Sequence, residues 1–126
     1  MKFARIIFLI AGVYGLVVML PQYFLEDRIG RDSPPPISHP EFYYGFIGVT
    51  VAWQVLFLIV SRDPGRYRWM MIAAVLEKAV FVIPVVILFL QGRITSLVLA
   101  PAGIDLILGI LFVIAFIKTR DVTIEP

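Results

Sequence analysis

The chain has 126 residues, 60% of them apolar, and a mean hydropathy of +0.95, which is more apolar surface than a soluble core of that size can hide. Its formal net charge is +2 and it has no cysteine, so disulfides, thiol redox chemistry and Cys-ligated zinc or iron–sulfur sites are excluded. A single four-span membrane domain covering residues 1–126 is expected, with lipid rather than water as its solvent.

Four apolar runs carry that expectation: Phe3–Leu20, Phe42–Val60, Trp69–Leu90 and Leu97–Ile117. Each is close to the roughly 20 residues that cross the hydrocarbon at about 1.5 Å rise per residue. Lys2 and Arg5 precede the first run as they would in a secretory signal. The run leaves through Met19-Leu20-Pro21-Gln22-Tyr23-Phe24, with no small-residue cleavage site, so it is read as a retained helix. Between the first and second runs, residues 21–41 form a Pro-rich outer loop centred on Asp32-Ser33-Pro34-Pro35-Pro36-Ile37-Ser38-His39-Pro40. Such a sequence favours extended backbone, and the flanking Tyr23, Phe24, Phe42, Tyr43 and Tyr44 suit a membrane interface.

The second run has two stripes at helical spacing. Tyr43, Ile47, Thr50, Gln54, Phe57 and Ser61 share one, which is expected to line the bundle. Gly45, Gly48 and Ala52 fall on another, which suits close approach of a second helix, within the chain or from a partner. Ala11 and Gly15 in the first run, and Gly109 in the fourth, have the same character. Ser61–Arg68 is a tight basic turn on Pro64-Gly65, and Gln91–Ser96 is a short outer turn. Short links imply antiparallel neighbours. In the third run Pro84 removes a backbone donor and presses on the carbonyl of Val80, which predicts a kink.

Basic residues set the orientation, because they favour the cytoplasmic side. Lys2, Arg5, Arg62, Arg66, Arg68, Lys118 and Arg120 fall on one side, against Arg28, Arg31 and Arg93 on the other. Both termini are therefore expected inside. The basic residues also sit beside anionic lipid headgroups, so the positive balance calls for no nucleic-acid partner.

Glu77 and Lys78 lie in the middle of the third run. Charges at that depth persist where a partner, a cavity or a function compensates them. Counted from the inner face, Gln54 lies about 10 Å up its helix, Glu77 and Lys78 about 12–14 Å, and Asp105 and Tyr14 about 18 Å. One polar girdle is expected, with Lys78 reaching Asp105 and Gln54 reaching Glu77. Fully ionised, it holds one cation and two carboxylates, so Glu77 is left to take up a proton or meet a cation or ligand. The plainer reading is a structural ion pair that fixes helix register. His39 and Glu41, with Glu26 and Asp27, are weak metal candidates. A single histidine does not make the usual zinc set, and Glu41 is explained by the dipole of the helix it begins. No nucleophile–His–acid set or phosphate loop is present, so independent catalysis is not expected.

The run Pro40-Glu41-Phe42-Tyr43-Tyr44-Gly45-Phe46-Ile47-Gly48, then Arg62-Asp63-Pro64, a polar residue inside the third span and Asp105 inside the fourth resemble the small four-helix DoxX-like proteins of bacterial inner membranes. That resemblance implies an antiparallel four-helix bundle of prokaryotic origin; members have been linked to redox or quinone-associated complexes. It carries over no catalytic residue. The expectation is a non-catalytic membrane protein, acting as an accessory subunit of a larger membrane complex or as a homo-oligomer. The alternative is a small carrier for a lipid-like or quinone-like molecule or a proton, and a weaker one is a membrane oxidoreductase component. An accessory subunit should hold a dry ion pair, whereas a carrier should show a cavity reaching the girdle.

Overall fold

A computed structural model describes residues 1–120. It is all-helical, with no strand among the described residues, and its helices are α1 (Lys2–Met19), α2 (Glu26–Asp32), α3 (Pro40–Arg62), α4 (Met70–Leu90) and α5 (Leu99–Lys118). Of these, α1, α3, α4 and α5 are long and apolar enough to cross a membrane. Their outward faces stay apolar: Val17, Leu76 and Ile107 are 68%, 61% and 59% exposed. Backbone polar groups satisfied within helices, under an apolar jacket, are what a lipid solvent requires. The C-terminal residues 121–126, which bear on the expected inside position of that terminus, lie outside the described residues.

Each spanning helix packs on two others, α1 on α3 and α5, and α4 on α5 and α3; the α3–α4 seam is the loosest. Contacts run in opposite directions along neighbours. Phe8 meets Phe57 on α3 and Phe112 on α5, whereas near the other end of α1 Gly15 abuts Gln54. Near the chain's N-terminal end the core is built on rings. Phe8 and Phe112 stack at 4.3 Å, and Phe57 stands edge-on to both at 6.0 and 5.1 Å. All three are fully buried, and aromatic pairs at such separations contribute beyond their buried area.

Small residues let α1 close on α3, and the stripe responsible differs from the one expected on α3. A Cβ on Gly12 would come within 2.7 Å of Leu58, and one on Gly15 would collide with the Gln54 amide. On α3, by contrast, Gly45 has open space where a Cβ would stand, Ala52 is exposed, and Gly48 faces only the Tyr23 hydroxyl at 3.5 Å. Within this chain Gly45, Gly48 and Ala52 are therefore not the seam between spanning helices. The tapered side of α1 already supplies that close approach.

The 21–41 connection holds more structure than its prolines imply. A 3-10 turn, Leu20–Phe24, continues α1, and α2 follows with Glu26 and Asp27 in its first turn and Arg31 in its last, matching the helix dipole. Arg28 and Asp32 pair at 3.6 Å one turn apart. The proline run then begins directly after Ser33, and it folds back close to α2, where a Cβ on Gly30 would stand 3.2 Å from Pro36. This cap is tied to α3: the Tyr43 hydroxyl donates to the Gln22 carbonyl at 2.5 Å and the Tyr44 hydroxyl to Glu26 at 2.8 Å.

The remaining links are tight. Helix α4 runs without a break through Pro84 to Leu90 and ends on Gly92, whose φ of +71° suits glycine. Gly92 N–H donates to the Phe89 carbonyl and Arg93 N–H to that of Leu88, the paired bonds of a Schellman cap. In the basic turn Arg68 is buried, not merely a surface charge. Its guanidinium donates twice to the Phe116 carbonyl, at 3.1 and 2.9 Å, which fastens the start of α4 to the end of α5.

Candidate functional site

Four spanning helices bring their polar side chains to one level above the ring cluster. Lys78 projects from α4, and its Nζ stands 3.1 Å from Asp105 on α5 and 3.5 Å from Glu77. The three side chains are 6%, 18% and 14% exposed respectively for Lys78, Asp105 and Glu77. Gly109, one turn from Asp105, faces Lys78 closely, since a Cβ there would lie 3.2 Å from the Lys78 side chain. The same ammonium lies 5.3 Å from the Phe57 ring centre, where the ring face attracts a cation. The charged layer thus rests directly on the aromatic core.

Gln54 enters from α3 and is 1% exposed. Its Nε2 donates to the Thr50 carbonyl at 2.9 Å, but Oε1 has no hydrogen-bond partner. Glu77 Oε2 is buried and likewise accepts no hydrogen bond; its 3.5 Å approach to Lys78 is an ion-pair contact without hydrogen-bond geometry. The bond expected between Gln54 and Glu77 is absent, because the Gln54 amide turns over Gly15 and its nitrogen is committed within α3.

These groups line a cavity of about 270 Å³ that also includes Tyr14 and extends toward the cap. Its walls are Val18, Met19, Phe46, Ile47, Phe81 and Pro101. The stripe Tyr43, Ile47, Thr50 and Gln54 read from the sequence faces into it, and Phe57 of that stripe joins the core below. The apolar walls from α1, α4 and α5 were not singled out in the sequence. Nothing separates a Phe46 or Phe81 that faces a cavity from one that faces lipid when both lie in an unbroken apolar run.

The chain matches no protein-family model, no curated protein and no solved structure. The site therefore has to be read from its own chemistry.

At the outer rim, His39 Nδ1 lies 3.0 Å from Glu41, both exposed, and Glu26 accepts from Tyr44. His39 and Glu41 thus meet each other, with the imidazole stacked on Phe42. Among the described residues no three His, Cys, Asp or Glu side chains gather to hold a metal ion. The arrangement inside the bundle is different in kind: a mostly apolar chamber with a charged floor. It can hold a molecule with an apolar body and a polar head.

Proposed function

We propose that the protein is an integral membrane protein of the bacterial inner membrane, without catalysis of its own, that binds a lipid-like or quinone-like amphipath in the cavity among its four spanning helices. One observation carries the reading: a cavity of about 270 Å³ with mostly apolar walls reaches down to the charged layer of Glu77, Lys78 and Asp105, the form of a site for a molecule with an apolar body and a polar head. A purely structural ion pair would have packed this space. In this reading the bundle is N-in and C-in, and the cavity opens toward the external cap formed by residues 21–41.

The accessory-subunit reading draws on a separate feature. Gly45 and Ala52 turn outward with open space around Gly45, a face that a partner helix or a second copy would cover. The DoxX-like resemblance supports a bacterial membrane assembly in the same way.

Native mass spectrometry after purification in mild detergent tests the binding reading. Wild-type protein is expected to carry a small amphipath that Thr50→Phe, which fills the cavity, has lost at unchanged fold. Equal retention in the two, or no bound molecule in either, would overturn it. The same spectra show partner chains.

A further inference from the structure

The polar groups around the cavity define what its occupant must bring. Several donors are committed, Lys78 to Asp105 at 3.1 Å, Gln54 Nε2 to the Thr50 carbonyl at 2.9 Å, the Thr50 hydroxyl to the Phe46 carbonyl at 2.7 Å and the Tyr43 hydroxyl to Gln22 at 2.5 Å, while the Tyr14 hydroxyl in the same lining is not. Glu77 Oε2 accepts no hydrogen bond and has only the ion-pair contact with Lys78 at 3.5 Å. Gln54 Oε1 is packed against Gly15, so of the two residues it is the Glu77 carboxylate, its side chain 14% exposed, that an occupant of the cavity can meet.

Charge narrows the class further. Lys78 is the one cation in this layer, facing the carboxylates of Glu77 and Asp105, so the ionised layer carries one negative charge in surroundings where an uncompensated charge is expensive. An alcohol or quinol head leaves that charge uncompensated. A carboxylate head doubles the imbalance. A protonated amine supplies N–H donors and the missing positive charge together.

The walls fit such a molecule's tail. Phe46, on α3, and Phe81, on α4, face each other across the loosest helix seam with ring centres 6.4 Å apart, and Phe46 is 53% exposed on the outer face of the bundle. An apolar tail lying against these rings reaches the lipid-facing side of the bundle while its head stays at Glu77. Resting on the binding reading above, we infer that the cavity takes an amphipathic organic monocation, a primary ammonium with an apolar tail, whose N–H groups bond the Glu77 carboxylate.

Equilibrium dialysis on the full chain in phosphatidylcholine nanodiscs, with empty nanodiscs subtracted, separates the possibilities using three probes of one tail: octylammonium, 1-octanol and octanoate. Octylammonium is expected to bind at least tenfold more tightly than 1-octanol, and octanoate not above the empty discs. Glu77→Gln should weaken octylammonium at least tenfold and leave 1-octanol unchanged, while Asp27→Asn, at an exposed carboxylate on α2, should change neither. Thermal unfolding of each variant checks that it is folded. Equal affinity for octylammonium and 1-octanol, or an octylammonium affinity that survives Glu77→Gln, overturns the cation assignment while the binding reading stands. Absence of saturable binding by all three overturns both.

Discussion

Lys78 and Asp105 show how a single pair can be both necessary and expensive. At 3.1 Å and largely buried, each stabilises the other mainly by sparing it an unpaired charge in an apolar medium. Lys78→Ala or Asp105→Ala is expected to cost about 3–5 kcal/mol, and the double variant to recover part of that. Reversible unfolding of the four proteins measures the coupling directly; additive losses would show that the pair does not stabilise the fold. The sequence made this pair legible because charges in an apolar run are rare enough to seek each other. It left the partners of Gln54 illegible: spacing gives height along a helix, but the rotamer that turned the amide over Gly15 depends on how closely α1 and α3 approach.

At the scale of helices, the two small-residue stripes make opposite predictions. Gly15→Ala should destabilise, because its Cβ meets the Gln54 amide on a facing helix, and trimming the neighbour with Gln54→Ala should relieve the loss. Gly45→Ala, with nothing within 4 Å of the new methyl, should stabilise by up to about 1 kcal/mol through helix propensity alone. Unfolding midpoints in detergent check both, and a loss at position 45 equal to that at 15 would place a partner helix there. Glycine and alanine at helical spacing tell where a helix could be approached. Which of several such faces is used depends on the shape of every other helix, and that is decided only in the assembled bundle. The short helix α2 escaped the sequence reading for a related reason: seven mostly polar residues next to a proline run have no apolar periodicity, and it is held by dipole matching, one ion pair and the Tyr44–Glu26 bond.

For the whole molecule, hydropathy alone revealed the four spans, since lipid leaves few alternatives to an apolar helix of fixed minimum length. Observed ends differ from the expected ones by a few residues, where Pro40, Gly92 and the Arg68–Phe116 bonds set the caps. Orientation is the remaining choice, and the basic residues favour a cytoplasmic Arg62–Arg68 turn. The chain has no native cysteine, so single cysteines report cleanly. Ser33→Cys should react with an impermeant maleimide from outside intact cells and Gly65→Cys only after permeabilisation; the reverse pattern would invert the molecule.

Beneath the charged layer, Phe8, Phe57 and Phe112 are fully buried and in contact with one another, and this gives the chamber an apolar base of packed rings. A hydrated ion that reached Lys78 would have to shed its shell among three rings to go further. If the cavity is occupied as proposed, a guest could then sit at this level without opening a route across the bundle.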